Sequence, residues 1–246
     1  NGTFGLYRNG RNFCPDAGVY TYGGTSSSNA DRAAFAATKM HNTMTREEKD
    51  IAKGYMSGKF LKQETKKGTN ILVTENKSYS DLTHRRAVFF VDNTFFVLVD
   101  EGYGEGSTPS VNLSFNLCPD TIDDESANYQ YGAHTLFTDN NNMLFRTFVE
   151  TKAGYSATNS TAYTSNKIEE KTQRRFYRVN ITKPENGAAR FITVIYPFKT
   201  EADFEKINID AKFIDNTETS AGTFHENGAA VEVTIDGQKY ELSYTL

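Results

Sequence analysis

Short runs in which apolar and polar residues alternate recur along the whole chain, each bounded by Gly, Asn, Asp or Pro. A period of two sends successive side chains to opposite faces of a strand, so the pattern predicts an all-β chain. Strands are expected at 5–7, 41–45, 87–90, 95–100, 110–117, 135–139, 143–148, 176–181, 190–196, 229–235 and 239–244. Two hairpins stand out: 88–99 around Asp92-Asn93-Thr94, and 231–244 around Asp236-Gly237. The Asp-Gly pair suits a type I′ turn, in which both central residues need positive φ. The strands beside it alternate strictly, which predicts that one face of the hairpin is buried. Helical spacing is confined to 31–38 and 47–53, while 140–142 reads as a loop tip and the Ser/Thr/Ala-rich 154–166 as a surface loop. Many strands at short spacing with long connections predict a large antiparallel β-sandwich, taken as a single domain over 1–246. The chain opens as a strand already under way, with no initiator Met, so a domain cut at its N-terminal edge is expected.

Composition narrows the class. A chain of 246 residues can bury a sizeable core. A net charge of −4 does not suit a bulk nucleic-acid binder, although clustered basic residues could still hold a polyanion. No apolar run reaches the length of a membrane helix; the longest, 87–99, is broken by Asp92, Asn93 and Thr94. Cys14 and Cys118 could pair, but two buried free thiols are the favoured reading.

The candidate chemistry lies near the start. Asp16, in Pro15-Asp16-Ala17-Gly18, sits where a strand turns, and His41 opens the run His41-Asn42-Thr43-Met44-Thr45. A carboxylate and an imidazole make half of a zinc-type site, which takes about four ligands. Calcium or magnesium would prefer oxygen ligands alone. Either residue has an ordinary alternative, the aspartate capping turn amides and the histidine making a structural hydrogen bond. Tyr20 and Tyr22, on the Gly-rich turn after Asp16, could stack on a sugar. Arg32 and Lys39 flank the same segment, and Arg8 and Arg11 are near it in sequence; any of them could meet sulfate or carboxylate. His84 is expected to make a structural hydrogen bond, and His134 and His225 to lie in loops. Arg174-Arg175-Phe176-Tyr177-Arg178 offers a basic group, but alternation divides it between two faces. Lys59, Lys62, Lys66 and Lys67 read as a solvated loop.

Several segments, in this order and spacing, carry a family resemblance. They are Asn1-Gly2-Thr3-Phe4-Gly5-Leu6-Tyr7-Arg8-Asn9-Gly10-Arg11, Pro15-Asp16-Ala17-Gly18-Val19-Tyr20-Thr21-Tyr22, Lys39-Met40-His41-Asn42-Thr43-Met44-Thr45, His84-Arg85-Arg86-Ala87-Val88-Phe89-Phe90-Val91 and Val97-Leu98-Val99-Asp100-Glu101. Together they resemble the C-terminal β domain of the heparinase II/III type of bacterial polysaccharide lyases, over about the first 120 residues. The resemblance implies an N-terminal α/α toroid joined to a C-terminal β-sandwich, with a sulfated glycosaminoglycan between them. It implies a His-x-His-x-Asp motif just upstream of Asn1, one divalent metal ion (zinc or zinc-like), and ligands at Asp16 and His41. Substrate contacts are then expected at Tyr20, Tyr22 and Arg32, with the acid–base groups outside the chain.

The implied reaction is β-elimination at a uronic acid of heparan-sulfate-like chains, in a periplasmic or secreted bacterial protein. Two other readings stand beside it. One is a non-catalytic carbohydrate-binding or scaffold sandwich in which Asp16 and His41 only stabilise the fold; the other is a lyase for another uronate polymer such as alginate.

Overall fold

The computed structural model describes residues 2–55, 57–125 and 128–246, so Asn1, the first residue of the opening segment, lies outside the described residues. The centre is an eight-stranded antiparallel sheet, called the large sheet. Its spatial order is Gly58–Lys66, Thr69–Tyr79, Leu82–Val91, Phe95–Tyr103, Ala188–Phe198, Asn142–Val149, Gln130–Thr135 and Thr121–Glu125. A second sheet, of four strands, lies on one face: Ser156–Thr164, Thr172–Thr182, Ser110–Asn116 and Met44–Arg46. A small sheet of three strands, Ile209–Phe213, Gly228–Ile235 and Gln238–Thr245, covers the other face.

Alternation along the central strands builds both cores. Leu98, Phe145, Phe191 and Ile195 face Val111, Leu113, Phe115, Tyr177 and Val179 of the second sheet. Their neighbours Val97, Val99, Leu144, Ile192 and Val194 face Val231, Val233 and Phe213 of the small sheet. The fold is therefore the expected antiparallel sandwich with a third layer added. Both hairpins form: Val91 pairs with Phe95 across Asp92 and Asn93 (φ 48° and 53°), and Ile235 with Gln238 across Asp236 and Gly237 (φ 50° and 83°). Gly228–Ile235 buries every second residue, as its pattern predicts.

Other expectations are corrected. The 154–166 loop is largely the strand Ser156–Thr164, paired along its length with Thr172–Thr182. It is an edge strand whose side chains are mostly solvated, so backbone pairing holds it without an apolar pattern. Lys59, Lys62 and Lys66 sit on the edge strand Gly58–Lys66 and Lys67 in the turn that follows (φ 48°), not in a loop. Lysines on an exposed edge discourage pairing with another chain. His134 lies in the strand Gln130–Thr135, buried and stacked on Phe204 at 3.9 Å. The helix expected at 31–38 runs Ser26–Ala36, because Thr25 caps Ser28 N five residues earlier. No α-helix forms at 47–53: Glu47 N donates to Ser110 O and Glu48 N to Asn112 Oδ1, which draws that backbone onto the second sheet. Strand structure within 41–45 starts only at Met44, and the strand expected at 135–139 ends at Thr135.

The small sheet is fastened by ions as well as by apolar contact. Arg190, on the large sheet and fully buried, donates to Glu101 at 2.9 Å, Glu150 at 2.9 Å and Asp215 at 2.6 Å. Asp215 follows the small-sheet strand Ile209–Phe213, and Tyr244 of the same sheet donates to Glu101 at 3.0 Å. Removing the cation strands three acids at a buried junction. Arg190→Met is expected to lower the unfolding free energy by about 3–5 kcal/mol in urea titrations; a loss below about 1 kcal/mol would rank the network with surface pairs.

Candidate functional site

Asp16 stands on a loop tied down on both sides. Phe13 and Cys14 are buried, Phe13 N donates to Leu6 O at 2.7 Å, and Phe13 O accepts from Cys118 N at 3.0 Å. After the carboxylate the chain turns sharply, with Asp16 Oδ1 accepting from Gly18 N at 2.9 Å. Gly18 has φ +78°, and a Cβ there would collide with the Ser165 carbonyl, so the turn requires glycine. Thr164 Oγ1 donates to Asp16 O at 2.7 Å and Ser165 N to Ala17 O at 2.8 Å, which fixes the loop to the end of the edge strand Ser156–Thr164.

His41 is delivered from the other side. A single turn of 3₁₀-helix, Thr38–Met40, ends with His41 N donating to Thr38 O at 3.2 Å. The next residue, Asn42, is buried; its Nδ2 donates to Phe4 O at 3.0 Å and its Oδ1 accepts from Asn116 N at 2.6 Å. The two loops meet where His41 Nδ1 lies 2.9 Å from Asp16 Oδ2. Both side chains border a cavity of about 400 Å³ that Thr3, Thr38, Thr43 and Asp50 also line. The Asp16 carboxyl is held down at about 2, chiefly by the hydrogen bond from His41, with help from Gly18 N–H and nearby Arg174 against the opposing effect of burial. It is therefore an anion at neutral pH. A carboxylate and an imidazole in contact are two donors of the kind zinc takes. Among the described residues no cluster of three His, Cys, Asp or Glu side chains is suited to a metal ion, so the residues present make half a site.

The other candidates separate. Tyr20, in the left-handed region at φ 59°, stacks on Phe35 at 5.6 Å, with the Lys171 ammonium 5.0 Å from its ring. It props the helix Ser26–Ala36. Tyr22 is exposed, and exposed Arg32 reaches only its carbonyl, at 3.4 Å. None of these three lines the cavity around Asp16 and His41. Arg8 and Arg11 are committed to Asn141 at 2.7 Å and Asp139 at 3.1 Å. Lys39 lies 3.8 Å from Glu48. His84 makes the expected structural bond, Nε2 to Asp100 Oδ1 at 2.6 Å, and His225 is a loop residue facing Asn216 at 2.8 Å. Cys14 and Cys118 are buried free thiols, and burial raises both.

The basic group 174–178 is not a solvent-facing patch. Arg175 pairs with Asp123, and Arg178 is buried against Ser114 at 3.0 Å and Glu48 at 2.6 Å. Arg174, also buried, donates to the carbonyl of Pro15 and, at 3.2 Å, to that of Met40. Sequence reasoning missed Arg174 as part of this site, along with Arg86 and Asp50. The available signal was that Arg174 shares a strand face with Arg178, opposite the apolar Tyr177, Val179 and Ile181.

The low Asp16 value sets a pH dependence. A carboxyl depressed from its ordinary 3.8 to about 2 adds stability that is fully present above about 4 and is lost as pH falls through about 2. Asp16→Asn removes that contribution. Melting temperatures taken from pH 6 to pH 2 should show wild type falling more steeply than the variant below about pH 4; parallel curves would mean that the carboxylate is not held this way.

Comparison with known proteins gives the geometry its context. The family described as Heparinase II/III-like, C-terminal matches residues 1–210. A heparin-sulfate lyase of Bacteroides thetaiotaomicron is 42% identical over the whole chain, and one of Bacteroides stercoris 36% identical; the chain spans about a third of either. A crystal structure of heparinase III superposes on the whole chain with a TM-score of 0.88 at 39% identity, the match covering 36% of that protein. With most of its length matched and the antiparallel sandwich shared, this chain belongs to the heparinase II/III-like C-terminal family.

Proposed function

We propose that this chain is the C-terminal β domain of a lyase that cleaves heparan-sulfate-type glycosaminoglycan by β-elimination at uronic acid, and that Asp16 and His41 supply two ligands of one zinc-type ion in it. The observation that carries the reading is the 2.9 Å approach of Asp16 and His41 from loops twenty-five residues apart, in a chain 42% identical to a heparin-sulfate lyase.

Elimination next to a uronate carboxylate needs three things: neutralisation of that carboxylate, removal of the adjacent proton, and protonation of the departing glycosidic oxygen. In this reading the proton-moving groups belong to polypeptide outside the chain, most of it in an α/α toroid domain. Asp16 and His41 hold and orient the ion from this side. The ion, when bound, supplies fixed positive charge and a rigid link between segments. Exposed Tyr22 and Arg32 offer a stacking face and a guanidinium for carboxylate or sulfate, and Tyr20 keeps the helix beside them in place.

The direct Asp16–His41 hydrogen bond favours one competing reading, a structural pair in a carbohydrate-binding or scaffold domain that needs no ion. His41→Ala in the full-length protein separates the two. Loss of a ligand should lower zinc affinity by at least the 10–100-fold typical of losing even an outer partner, roughly speaking, and should lower melting temperature and turnover with it. Turnover is read as ultraviolet absorbance of the unsaturated uronate released from heparan sulfate, with alginate in parallel. Full activity and bound ion in His41→Ala would end the ligand assignment; product from alginate alone would reassign the substrate; product from neither would favour the scaffold. Tyr22→Ala and Arg32→Ala are expected to raise KM on heparan sulfate, and unchanged kinetics in both would remove this surface from the binding site.

A further inference from the structure

His41 is held in an unusual way. The carbonyl before it, Met40 O, accepts from Arg174 Nη2 at 3.2 Å, and the carbonyl after it, Asn42 O, accepts from Arg86 Nη1 at 2.8 Å. The two arginines come from different layers, Arg174 from the second-sheet strand Thr172–Thr182 and Arg86 from the large-sheet strand Leu82–Val91. Each also holds a second segment. Arg174 Nη1 donates to Pro15 O, the carbonyl that precedes Asp16. Arg86 Nη1 donates to Gly2 O at 2.5 Å, and its guanidinium lies 5.2 Å from the Phe4 ring.

We infer that Arg174 and Arg86 are positioning residues that clamp the His41 loop from two layers of the fold, Arg174 joining it to the Asp16 loop and Arg86 joining it to the segment at Gly2. The inference rests on the proposed use of that pair, but the clamp itself is a matter of hydrogen bonds between named atoms. Both side chains are buried. Arg86 is braced from behind: its Nε donates to Asp100 Oδ1 at 2.6 Å, the same oxygen that His84 Nε2 meets at 2.6 Å. Arg174 has no such brace, and among the described residues it forms no ion pair, so its charge is met by the two carbonyls and by Asp16 through space. A planar guanidinium presents several donors in a fixed fork and can hold two carbonyls at a set separation; an ammonium is a single point charge on a flexible stem. Replacing either arginine by lysine keeps the charge and removes the fork.

The geometry assigns a separable effect to each arginine. In full-length protein, Arg174→Lys should speed amide hydrogen exchange about tenfold or more in both 15–18 and 40–43, the two segments it joins, while the paired strands stay protected. Arg86→Lys should do so in 2–4 and 40–43 and leave 15–18 closed. Zinc affinity, measured by competition with a chelator, should fall at least about tenfold in each. Arg190→Lys, a buried arginine elsewhere, is the control: it should lower the melting temperature and move neither readout. The clamp is overturned if both lysine variants exchange as wild type does in these segments, or if the control opens them equally. Should Arg174→Lys fail to fold, Arg86→Lys still decides through the contrast between 40–43 and 15–18. If wild type binds no zinc, the metal reading fails on its own and the exchange data alone judge the clamp.

Discussion

A guanidinium buried at Arg174 is the constraint around which the front of this molecule is arranged. Burial lowers its pKa to about 10, which still leaves it protonated at neutral pH. An interior cation is costly unless its donors are satisfied and its charge is answered. The carbonyls of Pro15 and Met40 take two of its donors, and the Asp16 carboxylate is one of the two groups that favour its charged form. The loops that bear Asp16 and His41 are thus the solvation shell of a charge the second sheet has taken out of water. They cannot drift outward without stranding it.

That arrangement depends on layering. The strand Thr172–Thr182 is covered on both faces: Tyr177 packs into the core with Phe115 and Tyr131, while Arg174 and Arg178 lie beneath Pro15, Met40 and Glu48. Within the N-terminal fifty residues, poor in regular strand, Pro15 and Met40 lie over Arg174 of the second sheet, while Leu6, Phe13, Cys14 and Met44 enter the core between the two sheets. Arg86 reaches the same segment from the large sheet, so two layers converge on His41. The third layer, fastened through Arg190, stands on the far face of the large sheet and leaves that segment free.

Patterning exposed the parts of the fold in which one face is apolar and the other wet. The strands about Asp92 and Asp236 are legible because alternation and turn chemistry agree. The edge strand Ser156–Thr164 is not, since backbone pairing holds it while its Ser, Thr and Ala side chains carry almost no periodic signal. Asp16 and His41 could be singled out by donor type and by the family resemblance, and the structure brings them within 2.9 Å. Alternation correctly placed Arg174 and Arg178 on one face of their strand, but period two cannot tell a face open to solvent from one covered by a distant loop. Residues 41–43, His-Asn-Thr, hold no apolar residue and so carry no alternation of their own; the bonds made by Asn42 and the 3₁₀ turn before it keep them out of the strand that begins at Met44.

The account stands or falls on whether the Asp16–His41 pair serves an ion. Zinc-edge X-ray absorption on full-length protein, purified without chelator, asks this directly. A first shell of nitrogen and oxygen that loses one imidazole in His41→Ala is the predicted result. A protein free of metal, or a spectrum that His41→Ala leaves unchanged, would contradict it.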